Sequence, residues 1–134
     1  NYGSFNKDFL PDYTPGETGL DRFVDFRKPA FIGREAALAE RNNGPQRRFV
    51  VMEVEAQDAD VVGYESIMKD GKAVGYVTSG AYGHCIDRSL AAGYVPAAFA
   101  REGERFEIDI LGDLCAATVR LQPLYDPEGR RLRG

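Results

Sequence analysis

The second half of the chain alternates apolar and polar residues with a period of two. Phe106, Ile108 and Ile110 alternate with charged residues, and the pattern returns from Cys115 to Leu121. Successive side chains of a β-strand point to opposite faces, so each segment can bury one face and expose the other. About six short segments of this kind after position 46 predict a small antiparallel barrel or sandwich.

Turn residues separate these segments. Residues 49–54, 65–68 and 73–77 are rich in β-forming side chains, and Asp70-Gly71 lies between the last two. Glycine accepts the positive φ of a two-residue turn, so this pair predicts a β-hairpin. Residues 75–96 contain two more β-rich runs around a glycine-dense stretch, whose glycines we interpret as turn residues. These glycines are Gly75, Gly80 and Gly83.

The first 45 residues lack this alternation. Prolines at positions 11, 15 and 29 fix φ and remove a donor, so regular structure should be short there. Residues 22–26, Arg-Phe-Val-Asp-Phe, predict one brief strand. A helix is predicted from Gly33 to Asn42, because the segment is rich in strong helix formers and ends in Asn-Asn-Gly-Pro. Ile32 is expected to pack against Ala37 as a hydrophobic staple.

Composition limits the classes of partner. The 134 residues carry a net charge of −4, which argues against nucleic acid. No apolar run approaches the roughly 20 residues of a membrane helix. We assign the basic pairs at 47–48 and 130–131 to the solvated surface. Cys85 and Cys115 are too few for a disulfide framework, which favours a reducing compartment, the cytoplasm or, in a eukaryote, the mitochondrial matrix. Because the chain begins with Asn1 rather than Met, we expect a longer parent protein.

Few residues suggest self-contained catalysis. His84 is the single histidine, and with Cys85 it falls short of the four ligands of a zinc site, so no metal site is expected. Ser79 lacks the Gly-x-Ser-x-Gly surroundings of a hydrolase nucleophile, and we interpret it as capping or closing a turn. Acidic residues near the start are interpreted as solvated surface, and no catalytic residue is expected. They are Asp8, Asp12, Glu17, Asp21 and Asp25.

Several segments in register resemble the glycine-cleavage T-protein family. They are Thr-Pro-Gly-Glu-Thr-Gly-Leu at 14–20, Phe-Ile-Gly-Arg-Glu-Ala at 31–36, Gly-Tyr-Val-Thr-Ser-Gly at 75–80 and Ser-Leu-Ala at 89–91. Within that family, Tyr-Val-Pro at 94–96 and the ending at 123–129 are most similar to the C-terminal parts of dimethylglycine and sarcosine dehydrogenases.

The resemblance implies a fold and a division of the chain. Residues 1–45 would be the end of a folate-binding domain and a linker helix, and residues 46–134 a C-terminal barrel. The implied fold class is mainly β with one helix. It is a small, closed, antiparallel Greek-key barrel of about six strands, preceded by an irregular segment that belongs to the neighbouring folate-binding domain.

The resemblance also implies the chemistry of a larger parent protein. In such dehydrogenases an N-terminal FAD domain oxidises a small N-methyl amine, and the folate-binding half passes the one-carbon unit to tetrahydrofolate. A folate held nearby would capture the reactive iminium before water does. The catalytic carboxylate and the main pterin anchor would precede Asn1, so the chain alone is not expected to be catalytic. Neither nucleic acid nor a membrane is an implied partner.

Five residues are implied as parts of the folate pocket. Lys28, with its neighbour Arg27, would meet the glutamyl carboxylates of folate. Tyr2 and Phe5 would flank the pterin, since an aromatic ring can stack on a flat heterocycle. Tyr82 would reach toward the amine substrate or the folate tail. For each residue, an ordinary surface or packing role is the alternative.

Other roles and functions stay open at this point. His84 could face the same pocket as Tyr82, and Glu17 is expected to order its own loop by accepting backbone hydrogen bonds. The parent could instead be a stand-alone folate-dependent aminomethyltransferase without flavin. A third alternative is a barrel that serves only as a structural or docking module.

Overall fold

Six antiparallel strands form a closed barrel in the described part of the chain. The computed structural model describes residues 3–134, without the side chain of Leu132. The strands are β1 (Arg47–Val54), β2 (Ser66–Lys69), β3 (Lys72–Gly83), β4 (Arg88–Pro96), β5 (Arg105–Ile110) and β6 (Asp113–Arg120). The helices are α1 (Pro15–Thr18), α2 (Arg34–Asn43) and α3 (Arg130–Arg133), with 3₁₀ turns at Asp21–Phe23 and Ala97–Phe99.

The strand order around the barrel is β1-β4-β3-β2-β5-β6, and β6 closes the ring on β1. Strands β2, β3 and β4 follow one another, while β1 lies beside β4 rather than β2, which is the Greek-key arrangement. The predicted mainly β fold with a closed six-stranded barrel is therefore confirmed. Closure pairs β1 and β6, the two outer strands of the sheet, with each other.

The core fills the inside of the barrel with side chains from every strand. β5 alternates strictly between exposed and buried residues, as its period-two sequence predicts. Each fully buried Val, Ile or Met side chain contributes about 1.5–3 kcal/mol relative to an exposed one. The most buried members are Met52, Ile67, Val77, Ala91, Val95, Ile108 and Val119.

The predicted hairpin at Asp70-Gly71 is confirmed. Asp70 has φ 51° and Gly71 has φ 73° between β2 and β3, the two positive values of a type I′ turn. The glycines of residues 75–96 were expected in turns, and this is wrong for Gly75 and Gly80, which lie inside β3. A Cβ on Gly75 would lie 2.0 Å from the Tyr94 carbonyl oxygen. These glycines allow close backbone approach within the barrel.

The first 45 residues differ from expectation in two places. The helix is confirmed within one residue at each end, but Ile32 is fully exposed, so the hydrophobic staple is wrong. Residues 22–26 contain a 3₁₀ turn instead of the predicted strand. A strand needs a partner edge, and residues 22–26 pair with none of the six barrel strands. Within residues 3–134, no helix is long and apolar enough to cross a membrane.

Candidate functional site

Residues 3–24 lie against the outside of the barrel, and we call them the N-terminal strap. Asp8 is its main polar anchor and is 1% exposed. Its Oδ1 accepts hydrogen bonds from the hydroxyls of Thr78 and Ser79, the latter at 2.9 Å. The expectation that Asp8 is solvated surface is therefore wrong. Ser79 lies within β3 and binds the strap, so its predicted turn role is wrong as well.

Aromatic side chains form the second anchor of the strap. The ring of Tyr13 stacks on Tyr94 with 3.7 Å between centroids and 13° between planes. The Tyr94 hydroxyl donates to the carbonyl oxygen of Asp8 at 2.6 Å. Phe9 meets Phe49 edge to face at 5.3 Å. Burial raises the pKa values of the Tyr94 and Tyr13 hydroxyls, so both stay protonated at neutral pH.

An ion pair forms the third anchor. Arg47 Nε donates to Glu17 Oε1 at 2.8 Å, and the guanidinium lies 4.8 Å from the centre of the Tyr13 ring. The hydrogen bond to Glu17 raises the pKa of Arg47. Glu17 also accepts from the Thr14 amide at 3.1 Å, which confirms its predicted loop-ordering role. The expectation that Glu17 is solvated surface is wrong, because Glu17 is buried. The same expectation for Arg47 is wrong, because Arg47 pairs with Glu17.

The strap carries a groove on its outer side, which we call the strap groove. Its volume is about 630 Å³, within the range of about 300–1,000 Å³ for small-molecule pockets. Phe5 and Phe23, two residues of this groove, are 82% and 74% exposed. The lining has uncharged polar side chains in addition to apolar and aromatic ones. The main apolar members are Phe5, Phe9, Leu10, Tyr13, Phe23 and Val24.

The cations of the predicted folate pocket lie on the loop before α2. The Arg27 side chain is 92% exposed and pairs with Asp25 at 2.9 Å, which lowers the pKa of that carboxyl. Lys28 is exposed, and its carbonyl oxygen accepts from Arg34 Nε at 3.0 Å. Arg34 also donates to the carbonyl oxygen of Phe26 at 3.3 Å, so α2 fixes the loop that presents both cations.

The remaining predicted site residues lie elsewhere. Phe5 lies at the strap groove, whereas Tyr82 lies at the end of β3, where its hydroxyl donates to Asp87. The Tyr82 ring meets His84 edge to face at 5.0 Å. The position of Tyr2 is outside the described residues. No group of His, Cys, Asp or Glu residues suited to a metal ion occurs in the described ranges.

The sequence reasoning missed the anchor formed by Asp8, Thr78, Ser79 and Tyr94. The only available signal was Thr78-Ser79 itself, two adjacent hydroxyl residues in the middle of a β-rich run. Strand alternation would turn only one of the two toward the strap, but the pairing with β4 shifts register between Val77 and Ser79. Such a β-bulge re-aims side chains, so both hydroxyls reach the same carboxylate. Nothing local identified Asp8 as that partner.

The fold agrees with comparisons to known proteins. The family model of the glycine cleavage T-protein C-terminal barrel domain matches residues 47–126. The chain belongs to this family. The T-protein barrel of this chain therefore covers β1 to β6, and the strap lies outside the matched range.

The relatives of this T-protein barrel fall into two kinds of enzyme. The chain is 42% identical over 123 residues to mitochondrial dimethylglycine dehydrogenase of Mus musculus. The match covers 91% of this chain and 14% of the mouse protein. It is 31% identical over 125 residues to an aminomethyltransferase of Desulfitobacterium hafniense. That match covers 93% of this chain and 34% of the aminomethyltransferase. A solved structure, glycine cleavage system aminomethyltransferase T from Bartonella henselae, superposes with a TM-score of 0.79 at 29% identity. The superposition covers 86% of this chain and 33% of that structure's chain.

Proposed function

We propose that the chain is the C-terminal part of a FAD-dependent dehydrogenase that oxidises a small N-methyl amine such as dimethylglycine or sarcosine. The observation that carries the proposal is the 42% identity to mouse dimethylglycine dehydrogenase, against 31% to the D. hafniense aminomethyltransferase. In this parent protein, bound flavin supplies oxidation of the amine, and tetrahydrofolate accepts the one-carbon unit. The chain itself is proposed to contribute binding and positioning, with no catalytic group of its own.

The strap groove fits one part of tetrahydrofolate. A pterin is flat, and an exposed aromatic ring such as Phe5 offers a face on which it can stack. A groove of uncharged side chains excludes water from one side of that heterocycle. The hydrogen-bonding edge of the pterin needs polar partners, which we assign to the preceding part of the parent protein.

The loop before α2 fits the other end of the ligand. The glutamyl tail of folate carries carboxylates, and Arg27 and Lys28 are adjacent exposed cations. We assign them to the tail, with Arg34 holding the loop through its two backbone contacts. Tyr82 is proposed to face the amine substrate or the folate tail, and Tyr2 to flank the pterin. The proposed division places residues 1–45 with the folate-binding domain and 46–134 in the barrel.

The test uses the full-length protein that carries this chain. Dimethylglycine or sarcosine should bleach the flavin absorbance, and adding tetrahydrofolate should replace formaldehyde by methylenetetrahydrofolate as the product. A protein that lacks flavin but still transfers a one-carbon unit to tetrahydrofolate would contradict the dehydrogenase. Such a result would favour a stand-alone aminomethyltransferase, which the similarity to the B. henselae structure supports as second candidate. A protein that neither oxidises amines nor binds folate would leave only a structural barrel.

A paired variant tests the assignment of the two cations. Arg27→Ala with Lys28→Ala should weaken binding of polyglutamylated tetrahydrofolate severalfold and affect the monoglutamate less, because only the tail loses contacts. Arg88→Ala is the matched control, since Arg88 is also an exposed cation but pairs with Glu53 on the barrel. Equal weakening by both variants would contradict the assignment.

We also propose a compartment for the parent protein. Dimethylglycine dehydrogenase and sarcosine dehydrogenase of Mus musculus, which are 42% and 30% identical to this chain over the matched region, are both named as mitochondrial. Both cysteines, Cys85 and Cys115, are free thiols, which is compatible with a reducing interior. We propose the mitochondrial matrix if the source is eukaryotic and the cytoplasm otherwise.

A further inference from the structure

We propose that Asp8 is a positioning residue for the tetrahydrofolate site. It binds the turn at residues 4–8 to the barrel and thereby holds Phe5 at the rim of the strap groove. The inference rests on the proposed function, because Phe5 needs a bound pterin to stack on. Asp8 itself is buried where the strap meets the barrel, and it acts through Phe5.

The first step is that Asp8 closes its own turn. Its Oδ2 accepts from the Ser4 amide at 2.5 Å. The Ser4 carbonyl oxygen accepts in return from the amides of Asp8 at 2.8 Å and Phe9 at 3.2 Å. Phe5 lies inside this closed turn and is 82% exposed, so the turn and not core packing determines where its side chain lies.

The second step is that the same residue fastens the turn to the barrel. Thr78 and Ser79 on β3 donate to Oδ1, and Tyr94 on β4 donates to the Asp8 carbonyl oxygen at 2.6 Å. These partners come from two neighbouring strands of the barrel that pair with each other, with Thr78 at a β-bulge between Val77 and Ser79. One residue therefore transmits the rigidity of the barrel to Phe5.

The third step concerns charge. The carboxylate of Asp8 accepts hydrogen bonds from one backbone amide and two side-chain hydroxyls, and all three donors are neutral. A carboxylate offers two acceptor oxygens, and both are used here. Asparagine would offer one oxygen and an NH₂ group. With its oxygen toward Thr78 and Ser79, its NH₂ group would face the Ser4 amide, which is another donor. The Asp8→Asn change is nearly isosteric, yet it releases one side of the anchor.

Glu104 provides a matched control. It is a second buried carboxylate, but it accepts from the cations Lys69 at 2.5 Å and Arg101, beside β5. Its contacts hold the barrel and do not involve the strap. A Glu104→Gln change therefore removes a buried carboxylate of comparable exposure without touching the turn that carries Phe5.

The experiment is a double-mutant cycle in the full-length protein. Asp8→Asn and Phe5→Ala should each raise the KM for tetrahydrofolate about tenfold, the equivalent of 1.4 kcal/mol. The double variant should be no worse than the more impaired single variant, because residues that act through one another are not additive. Glu104→Gln should leave the KM for tetrahydrofolate unchanged.

A milder variant protects the test against misfolding. Ser79→Ala removes one donor and leaves Thr78 in place, so it should raise the KM for tetrahydrofolate by less than Asp8→Asn does. Two results would overturn the positioning role and leave the proposed function standing. One is additive effects of Asp8→Asn and Phe5→Ala, and the other is a KM for tetrahydrofolate in Asp8→Asn that is no higher than in Glu104→Gln. Wild-type protein that does not bind tetrahydrofolate would overturn the proposed function and the inference with it.

Discussion

The barrel and the N-terminal strap are held in place by different forces. The barrel has a closed hydrogen-bonded ladder around an apolar core whose central side chains are fully buried. The strap has three separate anchors, which are Asp8, the Tyr13–Tyr94 stack and the Glu17–Arg47 pair. A distributed core resists local opening, whereas three separate anchors can release together. The strap should therefore open without unfolding the barrel.

This difference has a consequence for function. The groove proposed to face the pterin belongs to the strap, and the barrel supplies the rigid surface against which the strap is fastened. Binding segments are drawn from the less stable parts of proteins, where ordering can respond to a ligand. The barrel thus serves as a scaffold and the strap as the responsive element.

The largest expected effect comes from the barrel core. Ile108→Ala should lower the free energy of unfolding by about 2–5 kcal/mol, because the fully buried side chain leaves a cavity opposite Ile67. Urea unfolding of the chain measures this value. Leu111→Ala is the control, since Leu111 is 91% exposed and should change stability by less than about 0.5 kcal/mol. Similar losses from both variants would mean that the core does not hold the barrel.

A smaller and local effect is expected at the strap. Asp8→Ala leaves the hydroxyls of Thr78 and Ser79 without their shared acceptor, an unfavourable loss of about 1–3 kcal/mol. Hydrogen exchange should accelerate in residues 4–13 and stay unchanged in β5 and β6. Uniform acceleration across the chain would show that strap and barrel unfold as one unit, against the comparison.

The smallest effect concerns pH and returns to the barrel. Hydrogen bonds from Lys69 and Arg101 lower the pKa of Glu104 below its ordinary value. A lowered pKa in the folded state stabilises the protein at pH values above the ordinary glutamate pKa of about 4.3. This contribution is lost as pH falls through the lowered pKa. The free energy of unfolding should fall less steeply with decreasing pH in Glu104→Gln than in the wild-type protein. Identical slopes would contradict the pairing of Glu104 with Lys69 and Arg101.

The sequence predicted those features whose causes are local. The alternation in β5 and the Asp70-Gly71 turn carry their own signals, so the barrel strands and the hairpin were predictable. The helix before position 45 likewise has its formers and its stop in one segment. Even the family resemblance rests on such contiguous segments.

Features that depend on distant partners could not be predicted. Asp8 contacts Thr78 across 70 residues, and no pattern near Asp8 distinguishes it from the other acidic residues of the strap. Gly75 looks like a turn residue until the Tyr94 carbonyl is placed against it. Residues 22–26 have strand-like composition, but the barrel is closed without them. In each case tertiary context outweighs local preference.

The central claim is that folate orders the strap on a barrel that is already rigid. Hydrogen exchange of the full-length protein with and without tetrahydrofolate tests it directly. We expect the ligand to slow exchange in residues 4–24 and in the loop carrying Arg27 and Lys28, with no change in β5 and β6. Uniform slowing over strap and barrel, or no change in the strap at saturating tetrahydrofolate, would contradict the account.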